Sequence, residues 1–75
     1  MPSIGNIPGP QVVNAFKQIG FKLDRVAGSH HILKKAGHRQ NLSVPVHGNK
    51  PVRKGTLRSL IADAGITEDE FLELL

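Results

Sequence analysis

With 75 residues, 39% of them hydrophobic, three Phe and neither Trp nor Tyr, the chain can build one small aliphatic core, but not a second domain or a large ligand cavity. It has no cysteine, which excludes disulfides and thiolate metal sites; no apolar run nears the ~20 residues of a membrane span, and no signal peptide is recognisable, so a cytoplasmic protein is expected. The net charge of +4 hides a polarity, because ten Lys and Arg against one acid give residues 1–60 a charge of +9, while five acids give residues 61–75 a charge of −5.

Residues 1–8 hold Gly and Pro without periodicity and are expected to form a loose arm. Pro10 suits a first helical turn, and Val12, Val13, Phe16 and Ile19 share a face before Gly20, which predicts a helix over residues 10–19. From Phe21 the period shortens. Phe21, Leu23 and Arg25 alternate with Lys22, Asp24 and Val26 as in a half-buried strand, and Ala27-Gly28-Ser29 reads as the turn that ends it. Residues 30–35 form a second strand, Ala36-Gly37-His38 a second turn, and residues 41–46 a third strand with Leu42, Val44 and Val46 on one face. Pro45 cannot donate to a ladder, so it marks the end of that strand or a sheet edge.

After a polar loop over residues 47–54, Leu57, Leu60, Ile61 and Ala64 restore the helical period up to Gly65. Thr67 with Glu70 three residues later is a capping-box pattern, followed by the apolar face of Phe71, Leu72, Leu74 and Leu75. Glu68, Asp69 and Glu70 occupy that helix's first turn, where the positive helix end favours them, so much of the acidic tail has a structural reason. The order is helix, three strands, helix, helix. Short links between the strands imply an antiparallel meander with both main helices on one face, an α+β sandwich forming a single domain over residues 1–75.

The basic body is the electrostatic footprint of a polyanion-binding surface, although a merely solvated charged surface would have the same composition. The notable excess is in histidine, at positions 30, 31, 38 and 47, the side chain that gives and takes protons near neutrality. His30 and His31 open the second strand, so one projects to each face of the sheet. If Ile32 packs inward, strict alternation turns His30 inward as well and His31 outward. A residue that opens a strand can also emerge at the sheet margin, and geometry alone leaves the choice between the two open. His47 lies near a strand end, where it can join a site, bind a phosphate or stand as an exposed loop residue. His38 reads as a solvated turn tip.

Asp24 is the one acid before residue 63, so a carboxylate-bound divalent ion is disfavoured, and no spacing among the histidines matches a zinc pattern. Ser29 follows Gly28 at a turn, and no oxyanion-hole signature accompanies it. The coherent chemistry is RNA cleavage without metal or other cofactor, in which a His takes the proton of the ribose 2′-hydroxyl and nearby cations steady the phosphate. Lys22, Arg25 and Lys34 near the turn, with Lys50, Arg53 and Lys54 from the loop before the second main helix, are the candidate RNA-binding cations. The loop and the start of that helix can also offer backbone amides to phosphate. A noncatalytic RNA-binding module using the same basic face is the alternative.

Several strings in order then resemble the HicA (YcfA-like) toxin family: Gly20-Phe21, Gly28-Ser29-His30-His31-Ile32, Val44-Pro45-Val46-His47, Lys54-Gly55-Thr56-Leu57-Arg58-Ser59-Leu60, Ala64-Gly65-Ile66 and Glu70-Phe71-Leu72. The likeness runs from about residue 9 to the C-terminus. It implies a double-stranded-RNA-binding-domain-like fold, an mRNA interferase of relaxed sequence preference that halts translation, and a HicB antitoxin that binds and blocks the toxin. It also implies that the histidine directly after Gly-Ser, here His30, is catalytic; Ser29, His31 and, as a secondary site residue, His47 are expected to contact RNA beside it. The residue between Pro45 and His47, often basic in the family, is Val46 here, which removes one expected phosphate contact.

Overall fold

The computed structural model describes residues 4–75, in which the chain forms helix α1 (Gly9–Lys17), strands β1 (Lys22–Ala27), β2 (His30–Lys34) and β3 (Leu42–Pro45), and helices α2 (Lys54–Ala64) and α3 (Glu68–Glu73). The strands form one antiparallel sheet in the order β1-β2-β3. This is the expected α+β order. Gly28, with φ of 60°, and Ser29, outside the positive-φ region, link β1 to β2 in two residues. Glycine at the first central position suits the tight hairpin turn whose twist matches the strands.

Leu33, Leu42 and Val44 point from the sheet into a core shared with Val12, Val13 and Phe16 of α1 and Leu57, Leu60 and Ile61 of α2. The other side of β2 and β3 carries His30, Ser43 and Lys34, all exposed. Both main helices therefore cover one face and leave the other open. The three phenylalanines form the centre of the helical layer: the Phe16 ring lies 6.0 Å from that of Phe21 and 5.3 Å from that of Phe71. Thr67 caps α3 as its sequence predicts, its Oγ1 accepting from the Glu70 amide at 3.1 Å while the Glu70 carboxylate accepts from the Thr67 amide at 2.9 Å.

Three local features differ from expectation. The alternation read in β1 breaks at Asp24, where a bulge lets Leu23 pair with Leu33 but Arg25 with Ile32. Every residue of β1 is exposed, and the aromatic that reaches the core is Phe21, just before the strand. Residues 4–8 of the expected loose arm are built into the fold, because Ile4 and Ile7 are apolar enough to enter the core. The Ile7 carbonyl accepts from the Val52 amide at 2.9 Å, and the Gly9 amide donates to the Lys50 carbonyl at 3.3 Å. The arm thus ties down the loop before α2. The rest of the arm, residues 1–3, lies outside the described residues. Finally, His38 is no solvated tip. Its ring stands edge-on to Phe21, 5.3 Å away, and its Nε2 lies 2.6 Å from the Asp63 carbonyl oxygen, so it fastens the β2–β3 turn to α2.

Candidate active site

Which face His30 takes is decided by its neighbour three residues on. Leu33, fully buried and paired with Leu42, is the inward residue of β2, and alternation then places His31 on the helix side and His30 with Ile32 and Lys34 on the open side. An inward His30 was conditional on Ile32 packing inward, and Ile32 points the other way, which settles the choice that alternation left open. His30 pairs with Pro45 across the β2–β3 ladder. Two residues back along β3, Ser43 also faces outward, and its Oγ lies 3.1 Å from His30 Nδ1. The hydroxyl and the ring nitrogen can exchange donor and acceptor roles with the tautomer, and either way the bond engages Nδ1 and leaves Nε2 open.

A surface pocket of about 410 Å³ opens beside this ring. His30, His47, Lys50, Arg53 and Thr56 line it together with Pro45, Pro51 and Val52. Its walls therefore hold two imidazoles, an ammonium, a guanidinium and a hydroxyl, and no carboxylate. The backbone explains the convergence. The Val46 amide donates to the Ser29 carbonyl at 2.7 Å, which extends the β2–β3 ladder past Pro45 and holds the chain entering His47 beside the turn that presents His30. The Lys50 amide closes a turn onto the His47 carbonyl at 3.0 Å, and the N-terminal arm grips the chain at Lys50 and Val52. Arg53 then stands at the N-cap of α2, which has no side-chain cap. Thr56, in the first turn of that helix, lines the pocket with the two cations, so the helix's positive end lies close to them.

The other sequence-predicted residues lie around this pocket or apart from it. Lys22 and Lys34 are cross-strand partners, and Arg25 shares their outer face with Ile32. Asp24 partly neutralises the group, with its Oδ2 2.9 Å from Arg25 Nη1 and 3.6 Å from Lys34 Nζ. These three cations do not line the pocket; they form a basic extension across β1 and β2. Lys54 opens α2 and is exposed outside the pocket lining. Ser29 contributes its carbonyl to the ladder. His31 lines a separate groove of about 200 Å³ on the helix side with Val13, Asn14, Lys17 and Leu23, so the two adjacent histidines serve different surfaces. Ser43 and Thr56 were not foreseen. Ser43 was detectable only through the strand register, whereas Thr56 occupies the first helical turn of a loop-to-helix segment already singled out for phosphate.

Among the described residues no helix is long and apolar enough to cross a membrane. No curated protein matches the chain. The family described as the HicA toxin of bacterial toxin-antitoxin matches residues 9–66, a span that begins with α1, contains every residue lining the pocket and ends after α2. The chain therefore belongs to the HicA toxin family of bacterial toxin–antitoxin systems.

Proposed function

We propose that this toxin is a metal-independent endoribonuclease that cleaves mRNA in the cytoplasm and so inhibits translation, with His30 as its proton-transfer residue and a HicB-type antitoxin as its inhibitor. The observation that carries the reading is the His30 ring, fixed by Ser43 and set on the wall of a pocket lined by Lys50 and Arg53. In this reaction His30 Nε2 takes the proton of a ribose 2′-hydroxyl. The freed oxygen attacks the adjacent phosphorus and the bond to the 5′-oxygen breaks, giving a 2′,3′-cyclic phosphate and a 5′-hydroxyl end. Charge that builds on the phosphate meets Lys50, Arg53 and the first-turn amides of α2. Lys22, Arg25 and Lys34 continue the positive surface along the open sheet face, and Lys54 flanks it on α2, so flanking nucleotides have a path on either side. Ser29 and His31 contribute only where the strand reaches the hairpin turn or wraps past the sheet edge.

The test is cleavage of single-stranded RNA by the purified protein in excess EDTA, with RNA binding measured in parallel. Wild-type protein is expected to cut, and His30→Ala to lose cutting by at least ~10²-fold, the usual contribution of a positioned acid or base, while still binding RNA. Binding without cleavage by wild-type protein would instead support a noncatalytic RNA-binding module.

A further inference from the structure

Attack by the 2′-oxygen needs two proton transfers, one from the nucleophile and one to the departing 5′-oxygen, which is a poor leaving group as an alkoxide. His30 accounts for the first. The other protic side chains of the pocket are the imidazole of His47, the ammonium of Lys50, the guanidinium of Arg53 and the hydroxyl of Thr56. Ammonium, guanidinium and hydroxyl groups as classes hold their protons far above neutrality, whereas imidazolium releases one there. His47 is exposed and, among the described residues, its ring engages in no hydrogen bond or ion pair, so both ring nitrogens are open to a ligand in the pocket. Its position is also built. Ser29 and His30 hold Val46 and Pro45 in the ladder on one side of it, and the turn closed by the Lys50 amide holds the other side.

We infer that His47 is the second catalytic residue, the general acid that protonates the leaving 5′-oxygen while His30 acts as base. This rests on the ribonuclease reading given above. In the balanced step His30 gains the 2′-hydroxyl proton, the 2′-oxygen forms its bond to phosphorus, the bond from phosphorus to the 5′-oxygen breaks, and His47 donates a proton to that oxygen. Exchange of both rings with water returns them to their starting protonation states. The two histidines are therefore not redundant: loss of either leaves one transfer unserved.

The experiment compares two RNA oligonucleotides of one sequence, one with ordinary linkages and one with a 5′-bridging sulfur at the cleaved position, whose thiolate leaves without a proton. His47→Gln is expected to cut the ordinary linkage at least ~10²-fold more slowly than wild type and to recover to near the wild-type rate on the sulfur linkage. His30→Ala is expected to stay defective on both. An equal deficit of His47→Gln on the two linkages would overturn the assignment in favour of phosphate binding, and no deficit on either would overturn it outright. His47→Asn repeats the comparison with a second neutral side chain, and circular dichroism verifies both folds. Wild-type protein inert on both linkages would overturn the ribonuclease reading itself and this inference with it, whereas a wild type that cuts beside an unimpaired His47→Gln overturns only the inference.

Discussion

His30 is held on one side and open on the other. Ser43 Oγ at 3.1 Å from Nδ1 restrains the ring about its own axis without burying it. A hydrogen bond of this kind contributes about 1 kcal/mol, so Ser43→Ala is expected to lower kcat about 5-fold while leaving KM unchanged, and Ser43→Thr to restore most of the loss. A raised KM with unchanged kcat would show that Ser43 contacts substrate and does not position the ring. Neither this bond nor the orientation of His30 was legible in the sequence. Ile32 and Leu33 are adjacent and equally apolar, so β2 alone does not declare its inward residue. The choice is made by β3, where Leu42 and Val44 pair with Leu33 and His31 and carry both into the helix side of the sheet. The role proposed for His30 came from the resemblance of the Gly-Ser-His-His run, and its outward face from pairing between strands.

The elements themselves were largely readable. Period, glycine and proline punctuation and the Thr67–Glu70 box locate all three helices and three strands within a few residues of where they stand. Two of the three misreadings, β1 and the arm, share a cause. Both depend on long-range partners: the bulge at Asp24 exists only in the pairing with β2, and Ile4 and Ile7 find their burial against residues far along the chain. The element junction that matters most for the pocket is between α1 and the end of β3. At Gly9 an added Cβ would stand 2.8 Å from the Pro45 carbonyl oxygen and 3.1 Å from Val46 Cα. Backbone on the far side cannot swing away as a side chain does. Gly9→Ala is therefore expected to destabilise the protein by about 1–3 kcal/mol, as overpacking does, seen as a lower urea midpoint, and to slow RNA cleavage because Pro45 and Val46 carry the chain into His47. A midpoint equal to or above that of wild type would contradict this junction.

Over the whole molecule, the two oppositely charged halves of the chain are used differently. Five of the ten cations of residues 1–60 reach the open sheet face or the pocket: Lys22, Arg25 and Lys34 on the sheet, Lys50 and Arg53 at the pocket. The acids of the C-terminal segment serve the helical layer, where Glu70 completes the cap of α3 and Glu68 pairs with Arg58 at 3.3 Å. The +9 and −5 halves visible in the sequence thus correspond in part to a basic sheet face and pocket and to the packing of a short helix. What the sequence could not give was the meeting of His30 and His47, seventeen positions apart, on one pocket, because it depends on the β2–β3 register and on an arm that braces the loop. The central claim is that this pocket activates a ribose 2′-hydroxyl. A single 2′-deoxy substitution at the cleaved nucleotide of an otherwise unchanged RNA tests it most directly. Cleavage at that linkage is expected to vanish while the substituted RNA binds as before, and continued cleavage there would show water as the nucleophile and contradict the account.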